Sequence, residues 1–331
     1  MEFLLLILGL ILIIKSSDVL IDSVSKIARR YGISSFIIGI TVVAFGTSAP
    51  ELAVGIMSGI NHTNQLTLGN IIGSSISNIA LIVGVAAAIF PLQIKDSAVK
   101  REMPMLIIIQ IALGAMMFID GRLSRFEGLI LLGAFVLFMI YVFKSVKKSA
   151  RIQIDADGDI DTDGDGNNEL PSQPTGKQKN TGLMKLWCYS VLSLLGLFAG
   201  GKLTVDSSTQ IAQNFGLSET LIGLTVVALA TTMPELITSI MAARKREPEI
   251  VLGNCIGSNI FNILLVLGIS STIFPITAAK SLWFDVASML LFTILVFIMS
   301  LLRKRLQRWA GIFLLAGYMA YLAVKVLSVL A

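Results

Sequence analysis

What this sequence has little of decides its class. A single histidine, His62, excludes a His-rich metal site. The two cysteines, Cys188 and Cys255, both sit in apolar runs, so no disulfide framework can be read and the redox compartment stays open. Charge is the largest deficit: Asp, Glu, Lys and Arg make up 14% of 331 residues, against roughly 25% in a soluble globular chain. Hydrophobic residues reach 55% and the mean hydropathy is +0.82. A chain so poor in charge needs a solvent that does not hydrate charge, and that solvent is lipid. The net charge of +5 would hint at nucleic acid in a soluble protein. Here, however, the basic residues fall in short clusters between long apolar runs, which is the membrane pattern. The bilayer is the expected partner, with no nucleic acid and no protein partner inferred.

A bilayer core takes about 20 mainly apolar residues per helix. Such windows number ten, at approximately 3–24, 33–60, 66–90, 103–119, 124–145, 183–208, 217–243, 249–274, 282–302 and 309–330. The expected fold is an all-α membrane protein. The first apolar run, Phe3 to Ile14, has no basic residue ahead of it and no small-residue cleavage site after it, and reads as a retained span. One long polar interruption divides the spans five and five. The expected organisation is thus a five-helix unit at 1–146, a linker at 147–182 and a second five-helix unit at 183–331.

Cytoplasmic loops are enriched in Lys and Arg. With the N-terminus outside, the inside loops hold 20 basic residues, seven of them around the linker. The outside loops hold only Arg122, Arg125 and Lys280. This bias predicts a multi-pass protein of the cell membrane with both termini outside and the central loop cytoplasmic.

Displaced by 184 residues, the chain matches itself: Asp22 to Pro91 lies over Asp206 to Pro275 without a gap, with about 32 of 70 positions identical. A unit with an odd number of spans must cross the membrane in opposite senses in its two copies. The charges agree. Lys26, Arg29 and Arg30 align with Gln210, Gln213 and Asn214, whereas Ile60, Asn61 and His62 align with Arg244, Lys245 and Arg246. Basic residues have changed ends, as an inverted repeat requires. Inverted repeats recur in secondary transporters, with the site at the repeat interface near the midplane.

The carboxylates placed deepest in apolar sequence are Glu51 and Glu235, aligned copies within Ala44-Phe45-Gly46-Thr47-Ser48-Ala49-Pro50-Glu51 and Ala228-Leu229-Ala230-Thr231-Thr232-Met233-Pro234-Glu235. Proline inside a helix removes one N–H and frees a carbonyl of the preceding turn, so both segments are expected to be broken helices. Carbonyls, hydroxyls and a carboxylate then converge, an all-oxygen set of the kind hard cations take. An ionised carboxylate at the membrane centre costs at least about 2.5–3.5 kcal/mol, and marks a functional site by default. The bland reading, a protonated Glu hydrogen-bonding between helices, leaves the duplication of Pro-Glu unexplained. A second aligned pair, Leu68 to Asn78 and Leu252 to Asn262, puts Ser74 with Asn78, and Ser258 with Asn262, at i, i+4 on one helix face.

Gly-Thr-Ser-x-Pro-Glu followed by Gly-Asn-x-x-Gly-Ser, in duplicate, resembles the α-repeats of the cation/calcium antiporter superfamily, most closely its sodium/calcium exchangers. The resemblance covers the whole ten-helix layout and implies Na⁺/Ca²⁺ antiport by alternating access, with both ions as substrates and neither a cofactor nor catalysis. By motif position it implies Ca²⁺ ligands at Thr47, Glu51, Thr231 and Glu235. Sodium sites would share these and add Ala44, Ser48, Ser74, Asn78, Ala228, Thr232, Ser258 and Asn262. It further implies about three Na⁺ per Ca²⁺, one net charge per cycle, worth about 2.3 kcal/mol per 100 mV. Two departures stand out. Thr232 replaces the Ser common in the family's second repeat, and Asn262 stands where several members carry Asp, which argues against K⁺ co-transport. Proton/calcium relatives tend to have Gly-Asn in place of Gly-Thr-Ser ahead of the Glu, so Thr47 and Ser48 favour sodium over the alternative, Ca²⁺/H⁺ exchange.

The central loop carries seven acids from Asp155 to Glu169. In one frame Asp159, Asp161, Asp163 and Gly164 match the start of an EF-hand loop, with Asp165 beside them. The match then fails, because position 12 is Leu170. A low-affinity cytoplasmic Ca²⁺ sensor and a solvated acidic linker both fit. Two other function classes fare worse. A cation channel can use paired glutamates but does not need inverted repeats, and an intramembrane enzyme would need a nucleophile with a base, which no span supplies.

Overall fold

The computed structural model describes residues 1–60, 64–96, 98–158, 181–216, 226–278 and 282–330. The apolar runs become helices because a backbone in hydrocarbon must satisfy its own N–H and C=O groups. In chain order the helices are α1 (Glu2–Tyr31), α2 (Ser35–Thr47), α3 (Ala49–Ile60), α4 (Thr67–Ile89), α5 (Ala98–Ile119), α6 (Arg125–Gly158), α7 (Thr181–Asn214), α8 (Ala228–Arg244), α9 (Pro248–Ile273), α10 (Leu282–Arg303) and α11 (Arg308–Leu330). Among the described residues eight helices are long and apolar enough to cross a membrane, and the bent pair α2–α3 makes a ninth. The remaining expected span, 217–243, begins outside the described residues and continues as α8. Asp159, Asp161, Asp163 and Asp165 also lie outside them, while α6 runs beyond the expected helix end at 145 as far as Gly158.

Burial sorts the helices into layers. In α9, 94% of the apolar stretch is buried, and in α4 78%, whereas α1, α6 and α7 turn most of their surface outward. The two central helices are the aligned copies Thr67–Ile89 and Pro248–Ile273. They must accept close neighbours, and glycine lets them: a Cβ on Gly253 would lie 2.5 Å from the Phe36 carbonyl oxygen, and one on Gly257 2.7 Å from Ala44 Cβ. Lipid offers no hydrophobic drive between helices, so small residues that bring backbones together carry much of the packing. Outside this centre α1 and α7 run along one another.

Short strands exchange partners between the two halves. β1 (Leu92–Gln93) pairs antiparallel with β4 (Arg305–Leu306), and β2 (Arg122–Leu123) with β3 (Ile276–Thr277). Each pair takes one strand from either half, so the halves are interlocked rather than stacked. Polar ties add to this. The Lys245 ammonium lies 2.7 Å from carboxylate oxygens of both Asp18 and Asp22, and Arg29 bridges to Glu247 at 2.7 Å. Partial burial works against the Lys245 charge, but the two aspartates outweigh it and hold the ammonium above its ordinary pKa. Deep between α10 and α11, Asp285 accepts hydrogen bonds from Tyr321 (2.9 Å) and Lys325 (2.5 Å).

The two Pro-Glu segments differ in a way the sequence did not suggest. The first breaks as expected: Ser48 leaves the helix at φ −80°, ψ 1°, and α2 and α3 meet at 42°. The second does not break; α8 continues through Pro234. The flanking side chains differ as well: the Thr232 hydroxyl donates to the Ala228 carbonyl at 2.7 Å, whereas the Ser48 hydroxyl has no partner.

Candidate functional site

The bend after Thr47 and the helix through Pro234 bring two carboxylates into the centre of the protein. Glu51 is 1% exposed and Glu235 is not exposed at all. They answer each other across the two halves. Glu51 lies within electrostatic reach of Thr231 and Ser74, and Glu235 within reach of Thr47, Ser48 and Glu51 itself. None of these hydroxyls completes a hydrogen bond to a carboxylate: all four carboxylate oxygens are buried without a donor.

Around them runs a set of hydroxyls whose bonds cross between the halves. Thr47 donates to Asn254 Oδ1 at 3.1 Å, and its counterpart Thr231 donates to Asn70 Oδ1 at 3.2 Å. Thr232 reaches Ser74 at 3.4 Å, and Thr47 lies 3.4 Å from Ser258. The Ala44 and Ala228 carbonyls, expected as sodium ligands, lie beside these hydroxyls: Thr47 Oγ1 is 3.4 Å from the Ala44 oxygen, and Thr231 and Thr232 lie 3.2 and 2.7 Å from that of Ala228. Ten residues expected from the sequence are thereby linked into one constellation: Ala44, Thr47, Ser48, Glu51, Ser74, Ala228, Thr231, Thr232, Glu235 and Ser258. Asn78 and Asn262 are buried one turn beyond Ser74 and Ser258, each within a π-helical turn, Ser77–Ile82 and Asn262–Leu267. Such turns are rare and concentrate at functional sites. Asn78 binds into a further polar network, while among the described residues the Asn262 amide has no hydrogen-bond partner.

Asn70, Asn254, Ser239 and Asn259 were not singled out from sequence, although all but Ser239 lie within the repeated motifs. Asn254 also donates to Ser239 at 3.3 Å. Asn70 and Asn254 each accept the hydroxyl proton of a site threonine, which turns the threonine oxygen's lone pairs toward other partners. The signal that would have found Asn70 and Asn254 is the repetition of Gly-Asn itself, since a buried asparagine is kept only where it is hydrogen-bonded.

The unpartnered atoms say what the site can hold. A buried acceptor left without a donor costs about 1–3 kcal/mol, and an uncompensated buried carboxylate costs far more. Four carboxylate oxygens and Ser48 Oγ share this state at the constellation, and Asn78 Oδ1, the Asn262 amide and Asn70 Nδ2 share it in the adjoining repeated motifs. All but the two amide nitrogens are oxygen acceptors, and oxygen acceptors are what a hard cation coordinates. Among the described residues no group of three or more His, Cys, Asp or Glu is placed to hold a metal, so the local charge is limited to that of two carboxylates. Neutral oxygens complete the set.

Comparison with known proteins points the same way. The family described as Sodium/calcium exchanger protein matches residues 1–144 and 185–327. The chain is similar to the putative antiporter CaxA of Alkalimonas amylolytica, 37% identical over 95% of both chains. It is also similar to the sodium/calcium exchanger MaX1 of Methanosarcina acetivorans, 33% identical over 98% of both. Among solved structures it superposes on the sodium-calcium exchanger NCX_Mj with a TM-score of 0.78 at 30% identity, covering 97% of this chain and 98% of that one.

Proposed function

The chain belongs to the sodium/calcium exchanger protein family, and from that premise we propose that it exchanges Na⁺ for Ca²⁺ across the cell membrane by alternating access. The observation that carries this reading is the pair Glu51 and Glu235, both buried, each within electrostatic reach of the other, and with all four oxygens unpartnered. Two carboxylates match one Ca²⁺ in charge. Sodium ions would occupy the same carboxylates and spill onto neutral oxygens once more than two are carried. The two loads compete for shared ligands, and that competition couples them. If three Na⁺ replace one Ca²⁺, each cycle moves one net charge and responds to membrane potential by about 2.3 kcal/mol per 100 mV.

In this reading Thr47, Glu51, Thr231 and Glu235 bind Ca²⁺, and the wider set with Ala44, Ser48, Ser74, Asn78, Ala228, Thr232, Ser258 and Asn262 binds Na⁺. The frame is two inverted five-helix repeats with both termini outside and the linker cytoplasmic. The reciprocal bonds Thr47 to Asn254 and Thr231 to Asn70 support that symmetry, as do the strands exchanged between halves. Thr47 and Ser48 favour sodium over protons as the counter-ion.

The test is ⁴⁵Ca²⁺ uptake into proteoliposomes loaded with Na⁺, against K⁺-loaded vesicles with an imposed proton gradient. Uptake driven by the outward Na⁺ gradient, and enhanced by an inside-positive potential, is expected. Uptake driven by protons alone would leave the calcium ligands standing and overturn the sodium assignment.

A further inference from the structure

One hydrogen-bonded chain in the core runs in a single direction. Asn78 Nδ2 donates to Asn259 Oδ1 at 2.9 Å, and Asn259 Nδ2 donates to the backbone carbonyl of Ser75 at 3.2 Å. All three residues are buried. A backbone carbonyl can only accept, so Asn259 must turn its NH₂ toward Ser75 and its oxygen toward Asn78. Asn78 must then spend its NH₂ on Asn259. One carbonyl thus fixes the orientation of two amides, and what Asn78 has left is an oxygen, Oδ1, buried and without a donor. Asn78 lies four residues after Ser74, whose hydroxyl meets Thr232 and faces Glu51.

The other half of the protein lacks this device. The counterpart of Asn78 is Asn262, and the counterpart of Asn259 is Ser75. The Ser75 hydroxyl has no partner, and neither amide atom of Asn262 has one. Side-chain chemistry explains the difference: a serine is shorter than an asparagine and has one hydroxyl where the amide has a separate donor and acceptor. The repeat is symmetric in its carboxylates and threonines but not in its amides.

We propose that Asn259 is a positioning residue for sodium: it holds Asn78 with its oxygen presented as a fixed ligand, while Asn262 is left to adapt. This rests on the sodium ligand set proposed above, which includes Asn78, whereas the calcium set does not. Loss of Asn259 therefore acts on one ion and not the other. An amide free to rotate presents NH₂ to a cation as readily as oxygen, and preorganisation is lost.

The experiment measures ⁴⁵Ca²⁺ uptake by full-length Asn259→Leu, Asn78→Ala and the double variant in proteoliposomes, varying Na⁺ and Ca²⁺ separately. Asn259→Leu is expected to raise the half-saturating Na⁺ concentration about tenfold, the scale of a lost buried hydrogen bond, with half-saturating Ca²⁺ changed less than about twofold. The double variant is expected to match Asn78→Ala alone, because a positioning residue has nothing left to position. The Ca²⁺ value guards against a general distortion of the site, which would raise both constants, while misfolding lowers only the maximal rate. Parallel rises in both constants, unchanged sodium dependence, or additive effects in the double variant would each overturn the positioning role. Absence of any sodium dependence in the unsubstituted protein would instead overturn the exchange reading on which the role rests.

Discussion

Gly201 of α7 is pressed against Pro50: a Cβ built on the glycine would sit 2.7 Å from Pro50 Cγ and 3.3 Å from Cγ of Pro234. One glycine on a peripheral helix touches the prolines of both Pro-Glu segments. The aligned residue on α1 is Ser17, whose hydroxyl lies 2.9 Å from Thr238 of α8. The two outer helices therefore seat directly on the segments that carry Glu51 and Glu235, and any shift of one against the other is felt at the carboxylates. Gly201→Val forces Pro50, and with it Glu51, to move. Overpacking of this kind costs about 1–3 kcal/mol. Exchange is expected to fall about tenfold or more, with Gly196→Ala, a close approach to Ser16 away from the prolines, less damaging. Uptake rates for the two variants at equal protein content decide this, and equal losses would show that the prolines are not the point of transmission.

The unpartnered carboxylates make a prediction about stability opposite in sign to that about activity. Glu51→Gln or Glu235→Gln removes a buried charge that lacks a hydrogen-bond donor, so each variant is expected to melt at a higher temperature than the parent in calcium-free buffer. Each is also expected to lose calcium uptake and the rise in Tm that calcium gives the parent by binding the folded state. Thermal melts in detergent with EDTA and with added Ca²⁺ read both effects. A variant that still takes up Ca²⁺ at the parent's rate would remove its glutamate from the site.

Asn254 and Asn70 play matching roles toward Thr47 and Thr231, but Asn254 is held by Ser239 as well, whereas Asn70 Nδ2 is unpartnered. Replacing either by Ala takes away the acceptor for a threonine proton, which then turns toward the ions. The expected effect is a rise in half-saturating Ca²⁺ of roughly three- to tenfold, the scale of one net hydrogen bond. Asn254→Ala is expected to be the more costly because it also strands Ser239. Calcium titrations of uptake for both variants check the order, and a larger effect at Asn70 would reverse it.

Much of this protein was legible because the chain repeats itself. Glu51 with Glu235 and Thr47 with Thr231 stand out once the sequence is displaced by 184 residues, and polar groups in apolar spans have few reasons to be there other than ions. Helix positions were readable for an equally simple reason: a bilayer sets a length and an apolar content that a count along the chain detects. The break expected at Pro234 is absent, since a proline shows only where a break is permitted, and here the helix continues through it.

What the sequence determined by itself was therefore the all-helical membrane class, the duplication and the repeated polar motifs. Partnership was decided only by the tertiary structure. Thr47 meets Asn254 from 207 residues away, and Asn78 meets Asn259 from 181. β1 finds its strand in the other half of the chain. The physical reason lies in the solvent. Apolar surface is as well placed against lipid as against another helix, so hydrophobic patterning says little about which helices meet. That choice falls to close backbone approaches such as Gly253 against Phe36 and to single hydrogen bonds between polar side chains. These are properties of pairs of residues, and they take effect only once the chain has brought the pairs together.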